Sequence, residues 1–331
     1  MRGDARQLDE LLLAAICAVI SGVENWTTVV EWSEAKLDWL RQQLPFANGI
    51  ASHDTFGRVF SLLDAAQFEA CFIKWTGAMC PALSGQHIAI DGKCVRGSHD
   101  GKHSVIHLVS AWSSANGLTL GQVRTADKSN EITAQIIARG AHYVLGVKDN
   151  QPGLAEAVKL WFDAADAGTL DRPFWDDIQT EKDHGRIETR RCLVTNDVDW
   201  LGQQNQHWAG VQSLIMIEST RELIGRNSTG IASVERLYYL SSLPAKAAHL
   251  ANTIRAHWGI ENSMHWVLDV AFREDDCRIR FGEGTQNFAI LRRIALNLLK
   301  NEKSTKVGIA TKRLKAGWSA DYLAKVLGLP T

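Results

Sequence analysis

At 331 residues the chain is longer than most single domains, and a formal net charge of -1 gives no global signal for a polyanion, so any nucleic-acid contact must come from local clusters. Six cysteines without a Cys-x-x-Cys pair argue against a zinc ribbon or a disulfide scaffold and fit a reducing cytoplasm. The apolar run from Leu11 to Ile20 is far shorter than the ~20 residues of a membrane span, and Asp4, Asp9 and Glu10 spoil the positive lead-in of a signal peptide, so no membrane partner is expected.

The first 81 residues read as a helical domain, with helices over 6–20, 26–43, 53–63 and 65–79. In the third, Ser52 caps the start and Phe56, Val59, Phe60 and Leu63 form the apolar stripe. His53, Thr55 and Arg58 point away from that stripe, either as the surface of a packing bundle or as contacts of a helix-turn-helix kind. Pro81, Ser84 and Gly85 mark a boundary, after which the period switches to that of strands over 87–92, 103–113 and 117–126. Asn116-Gly117 signals a hairpin between the last two, which gives an antiparallel meander.

A short helix over Glu131 to Arg139 follows, closed by Gly140, and then a strand from Tyr143 to Lys148 and a helix over 151–167. Strands over 184–195, 211–221 and 233–241 form a β-rich insertion at about 180–243. A long helix over about 245–270 comes next, with further helices over 285–300 and 318–327. The expected domains are therefore 1–81, a mixed α/β domain over 82–300, and a basic helical tail over 301–331. Between Arg292 and Lys315, eight basic residues face one acid, Glu302, which reads either as a solvated helix face or as a phosphate-contact surface.

Two places carry chemistry. Asp91 ends the apolar run His87 to Ile90, where a carboxylate beside Gly92 either binds a hard cation or serves as a turn residue. His257, Glu261 and His265, spaced by four, place a polar stripe on an otherwise apolar helix. An ionised Glu there needs a cation, a basic side chain or water. The alternatives are a structural network in which the two histidines flank Glu261, and a zinc site, although three ligands along ~12 Å of straight helix do not converge on one ion.

Asp91-Gly92-Lys93, Lys128 to Thr133, Lys148-Asp149-Asn150-Gln151, His184-Gly185-Arg186, Glu235 to Tyr239 with Ser241-Ser242, and His257 to Asn262 through His265-Trp266 and Leu268-Asp269-Val270 occur in order. Together they resemble the H-repeat-associated insertion-sequence transposases of the DDE superfamily, over about residues 8–327. The resemblance implies a ribonuclease H-like mixed sheet and metal-dependent DNA strand cleavage and transfer. It makes Asp91 the first catalytic carboxylate and Glu261 the third, both holding Mg2+ or Mn2+. Lys93 and Arg96 would neutralise phosphate, and Lys148, Asn150, Gln151, His184, Arg186 and Asn262 would face DNA at the element ends. His257 and His265 would support the carboxylates, and a homo-oligomer is left open.

The chain departs from this family between Thr133 and Tyr143, where a helix-strand-helix piece of roughly 30 residues, about one βαβ step, is missing. The second catalytic Asp goes with it, so one central strand of the sheet is absent and catalysis is expected to be impaired. Should the strand over 143–148 fill the vacated place beside 87–92, Asp149 would become a substitute carboxylate. The alternatives are a non-catalytic DNA-binding remnant of a transposase and an unrelated metal hydrolase or structural protein.

Overall fold

The computed structural model describes residues 7–80, 83–95, 106–124, 131–148, 151–183, 185–202, 208–224 and 233–330, which fall into two compact units. The first comprises residues 1–126 and 257–331, and the second residues 127–256. No helix of the described residues is long and apolar enough to cross a membrane.

The first unit opens with α1 (Leu8–Ile20), α2 (Trp26–Ala35), α3 (Leu37–Leu40), α4 (His53–Leu62) and α5 (Ala65–Met79). Asn25, Ser52 and Asp64 each accept a hydrogen bond from a first-turn backbone N–H of α2, α4 and α5, which is why the helices start there. A three-stranded antiparallel sheet follows in the order β1 (Ile88–Val95), β2 (Ile106–Ser113), β3 (Leu118–Arg124). Gly117, at φ +66°, closes the β2–β3 hairpin in the left-handed conformation that its turn requires.

The unit is completed by the last residues of α8 (Ala247–Ile260), a π-helical turn (Glu261–His265), α9 (Trp266–Phe272), a 3-10 turn (Glu274–Asp276), α10 (Gly284–Asn301), α11 (Ile309–Trp318) and α12 (Ala320–Leu327). Its core joins Ala14, Ala18 and Val19 of α1, Phe56 and Phe60 of α4, Phe288, Leu291 and Leu296 of α10, and Leu323 of α12.

Helix α10 is the spine, with fourteen of its eighteen residues buried, so its polar side chains must find partners inside the protein. Asn297 donates to and accepts from the backbone of Thr119 on β3, and Asn287 donates to the carbonyls of Phe60 and Leu63 at the end of α4. Arg292 pairs with Glu24 at 3.2 Å and Arg293 with Glu274 at 2.8 Å. Arg313 also reaches Glu24, at 2.6 Å, and donates to the carbonyl of Val19 near the end of α1. Lys312 donates to the carbonyl of Leu299 near the end of α10 and pairs with Glu302. Cations at helix C-termini meet the exposed carbonyls and the negative end of the dipole.

The eight-residue basic cluster is thus neither a solvated face nor a free phosphate surface. Four of its members, Arg292, Arg293, Lys312 and Arg313, are buried, whereas Lys303 and Lys306 are exposed. Lys312 pairs with the local Glu302, but the acids of the three arginines, Glu24 and Glu274, lie outside the cluster, where a local count of charges does not register them.

The second unit contains α6 (Glu131–Ala138), β4 (Val144–Val147), α7 (Pro152–Asp166), β5 (Trp175–Asp183), β6 (Arg186–Thr195), β7 (Ser213–Leu223), β8 (Ser233–Ser241) and the first ten residues of α8. Its sheet is antiparallel in the order β4-β8-β7-β6-β5. One face buries Leu193, Leu214, Met216 and Leu240 with Leu154, Val158, Trp161 and Phe162 of α7. The other buries Cys192, Val194, Ile215 and Ile217 with Leu250 and Ile254 of α8. Because both faces are covered, the runs Cys192 to Val194 and Leu214 to Ile217 are apolar without alternation. Arg236 on β8 ties Glu218 of β7 to Asp163 and Asp166 of α7.

Three expectations change. Every strand pairing among the described residues is antiparallel, so the parallel pairings of a mixed sheet are not among them. Strand β4 pairs with β8, not with β1, so the slot beside β1 is not filled by residues 143–148; the apolar Val144 and Leu145 find their neighbours across Ser241 and Leu240 instead. Asp149 itself lies outside the described residues. Asp91 is in the middle of β1 rather than at its end, because β2 pairs along the whole of Ile88–Val95 and places Asp91 opposite Ser110.

Removing one partner of a buried ion pair leaves an uncompensated charge, so Glu274→Ala should lower unfolding free energy by about 3–5 kcal/mol in urea denaturation. Burial opposes ionisation of Glu274, but Arg293, Lys93 and Arg292 outweigh it and hold the carboxyl at about 2, below its ordinary 4.5. The depressed value means that this stabilisation is complete above the unfolded pKa and is lost as pH falls toward the folded one. The native chain should therefore lose stability between about pH 4.5 and 2, with a shallower loss in Glu274→Ala. In the second unit, Phe162→Ala removes a fully buried ring and should cost about 3–5 kcal/mol by the same measurement.

Candidate active site

Asp91 stands at the centre of β1, held by antiparallel pairing to β2 and about a quarter exposed. The carboxyl of Glu261 lies within hydrogen-bonding reach of it, although 170 positions separate the two residues in the chain. His265 comes in from the same helical segment, with its Nε2 at 3.4 Å from Asp91 Oδ2 and its side chain only 5% exposed. At that distance the ring lies against the carboxyl, and both its nitrogens are buried without a well-formed hydrogen bond. The structure thus brings together Asp91, Glu261 and His265.

The backbone beneath them is unusual. Glu261 to His265 form a π-helical turn between α8 and α9, where bonding to the fifth residue widens the helix and rotates everything beyond it. A straight α-helix would have kept His257, Glu261 and His265 on one face. Instead His265 meets Asp91, while His257 acts electrostatically on His87, just before β1. His265 acts on Glu261 as well as on Asp91, and among the described residues no group of three or more His, Cys, Asp or Glu forms a metal-holding cluster.

The two carboxyls differ in proton affinity. Burial pushes Asp91 up, but the His265 ring, the Glu261 carboxyl and the Gly92 N–H outweigh it, so Asp91 is held at about 2. Burial and the neighbouring Asp91 raise Glu261 above its ordinary value, against the opposing pull of His265 and Lys93. A proton shared by the pair therefore belongs to Glu261, which donates it to an ionised Asp91. A cation placed between them would displace that proton, and carboxylate oxygens are donors that suit a hard divalent ion.

The remaining candidate residues are dispersed. Lys93 is 12% exposed and turned inward onto Asp269, Glu274 and Asp275. Asn262 is exposed beside Glu261. In the second unit, Lys148 follows β4 and is exposed, Gln151 precedes α7, and Arg186 is exposed at the start of β6, 3.8 Å from Glu188. Arg96, Asn150 and His184 lie outside the described residues. Of the α4 candidates, His53 and Arg58 are exposed, whereas Thr55 meets the capping hydroxyl of Ser52. Asp269, Glu274 and Asp275 were not singled out by sequence, although three acids within seven positions of a helix end were a readable signal.

Comparison with known proteins identifies the family. The family model described as Transposase DDE domain matches residues 132–298, and the one described as DDE_Tnp_1-associated matches residues 2–76. The H repeat-associated putative transposase YhhI of Escherichia coli K12 is 37% identical, in an alignment covering 97% of this chain and 92% of that protein. The putative protein YbfL of the same strain matches at the same identity and coverage. An uncharacterized protein in the dhlA 3' region of Xanthobacter autotrophicus is 41% identical over 71% of this chain and 87% of its own length. A solved piggyBac transposase synaptic complex with hairpin DNA aligns over 98% of this chain and 74% of that one, at 11% identity and a TM-score of 0.35, too distant to argue from. By near full-length identity and by the matched domain, the chain belongs to the H repeat-associated DDE transposases.

Proposed function

We propose that this chain is a transposase-family protein built to bind DNA at insertion-element ends, with strand cleavage and transfer centred on Asp91 and Glu261 and impaired by loss of the second catalytic Asp. The observation that carries the reading is the meeting of those two carboxyls, one ionised and one raised, from opposite ends of the chain. Carboxylates are brought into contact against their mutual repulsion where a cation or a proton is meant to be held.

The loss is supported by alignment lengths. The alignment to YhhI runs over 352 positions, but 97% of 331 residues is only about 321, leaving about 31 positions without a counterpart here. The Xanthobacter alignment gives about 33 in the same way, from 268 positions against about 235 residues. That is the size of the helix-strand-helix piece missing between Thr133 and Tyr143. The same gap supports a ribonuclease H-like core short of one central strand, since β1 pairs only with β2 among the described residues.

Asp91 and Glu261 would hold Mg2+ or Mn2+, with water and phosphate oxygens completing the shell. Such an ion, when bound, supplies Lewis-acid activation of the phosphodiester and of the attacking oxygen. Asp91 contributes a permanent anion, Glu261 releases its proton on binding, and His265 orients Asp91 from the buried side. Arg96, Lys148, Asn150, Gln151, Arg186, His184 and Asn262 would contact DNA. The second reading is a remnant that binds element ends in the cytoplasm without cutting them, and the missing carboxylate favours it.

Incubation with labelled element-end DNA and Mn2+ decides between the two. Slow cleavage that disappears in Asp91→Asn and Glu261→Gln supports an impaired enzyme, whereas salt-sensitive binding without cleavage supports the remnant. No binding at low salt overturns both. Because metal must displace the Glu261 proton, Mn2+ affinity in calorimetric titration should rise with pH through that elevated pKa, and Glu261→Gln should flatten the rise.

A further inference from the structure

Lys93 follows Asp91 by two positions on β1, so both side chains leave the same face of the strand. Its ammonium donates to Asp269 Oδ1, and lies 3.2 Å from Glu274 Oε2 and 3.6 Å from Asp275 Oδ1. Asp269 belongs to α9, eight positions beyond Glu261, and Glu274 to the turn that follows. Glu274 is fully buried and also takes Arg293 of α10 at 2.8 Å. One amine therefore joins the strand of Asp91 to the helix of Glu261, and through Glu274 to the buried spine of the unit.

An ammonium has three N–H donors, and here three carboxylates surround it. Two of the donors go to Asp269 and Glu274, and with Asp275 beside them no uncompensated charge is left for a DNA phosphate. The contact pairs lie 176 and 181 positions apart, so the group closes a very long loop beside the reacting carboxyls. We propose that Lys93 is a positioning residue: it fixes the separation of Asp91 and Glu261 and does not contact phosphate. The inference rests on the reading of that pair as the working site.

The test compares native chain with Lys93→Met, Lys93→Arg and Asp269→Asn, each first checked for a cooperative melt. Asp269 is partly exposed, so its variant keeps the test alive should Lys93→Met fail to fold. In metal-free, DNA-free protein, hydrogen exchange at residues 88–93 and 261–272 should quicken several-fold in both Lys93→Met and Asp269→Asn, in both segments together, and return toward native in Lys93→Arg. In folded variants Mn2+ binding should weaken by about tenfold, while the slope of log affinity against log salt for a short duplex stays native. A slope reduced by about 1 in Lys93→Met marks a phosphate contact and overturns the proposal. Unchanged exchange in both segments of the folded variants overturns it too. If native protein binds neither Mn2+ nor DNA, the functional reading falls, and the exchange comparison still decides whether Lys93 positions the pair.

Discussion

Buried cations in the first unit each require an acid, and most of these pairs join separate elements of the fold. Glu24, after α1, serves both Arg292 and Arg313; Glu274 serves Arg293 and Lys93; Glu302 serves Lys312. An unpaired charge in that interior would be expensive enough to forbid most other arrangements of the same helices. Apolar contacts alone would tolerate sliding of α1, α10 and α11 along one another. A guanidinium seated on Glu24 and on the last carbonyls of α1 does not.

That constraint reaches the site directly. The Lys93–Glu274–Arg293 file runs from β1 to α10, and Asp269 hooks α9 to the same ammonium. Asp91 and Glu261 then approach closely enough for one to hold the proton that the other has lost, which sets their opposite pKa directions. The π-helical turn adds the rotation that delivers His265 to Asp91 and leaves His257 near His87. Strand pairing, ion pairing and a local helical irregularity each supply one coordinate of the same small constellation.

Periodicity was enough for elements with one wet and one dry face. Ser52 and the Phe56–Phe60 stripe located α4, and Asn116-Gly117 located the β2–β3 hairpin. The edge strand β5 escaped because Trp175 to Asp183 is polar and largely exposed along its length, so it has no apolar alternation to read. Helix α11 escaped for the opposite reason, since Lys312 and Arg313 sit on its buried side, where a hydrophobic pattern would be sought. The helix break at Lys36 and the π-helical turn depend on hydrogen-bond geometry that residue types do not encode. Asp91, Glu261 and the acid cluster after α9 were legible as residues, but the pairing of those acids with Lys93 was not, because it exists only across more than 170 positions.

The two edges of the small sheet show why the clamp matters. On β3, Asn297 satisfies both backbone groups of Thr119, Glu69 accepts from the N–H of Gln122 at 2.6 Å, and Thr76 donates to the carbonyl of Leu120. Side chains of α5 and α10 thus do for β3 what a neighbouring strand would do. Strand β1 has β2 on one side only among the described residues. A carboxylate on a central strand is located by two ladders, whereas among the described residues Asp91 is located by one. What restrains it in the remaining direction is the ion-paired Lys93 two residues on, so buried charge shares with backbone hydrogen bonds the placing of Asp91.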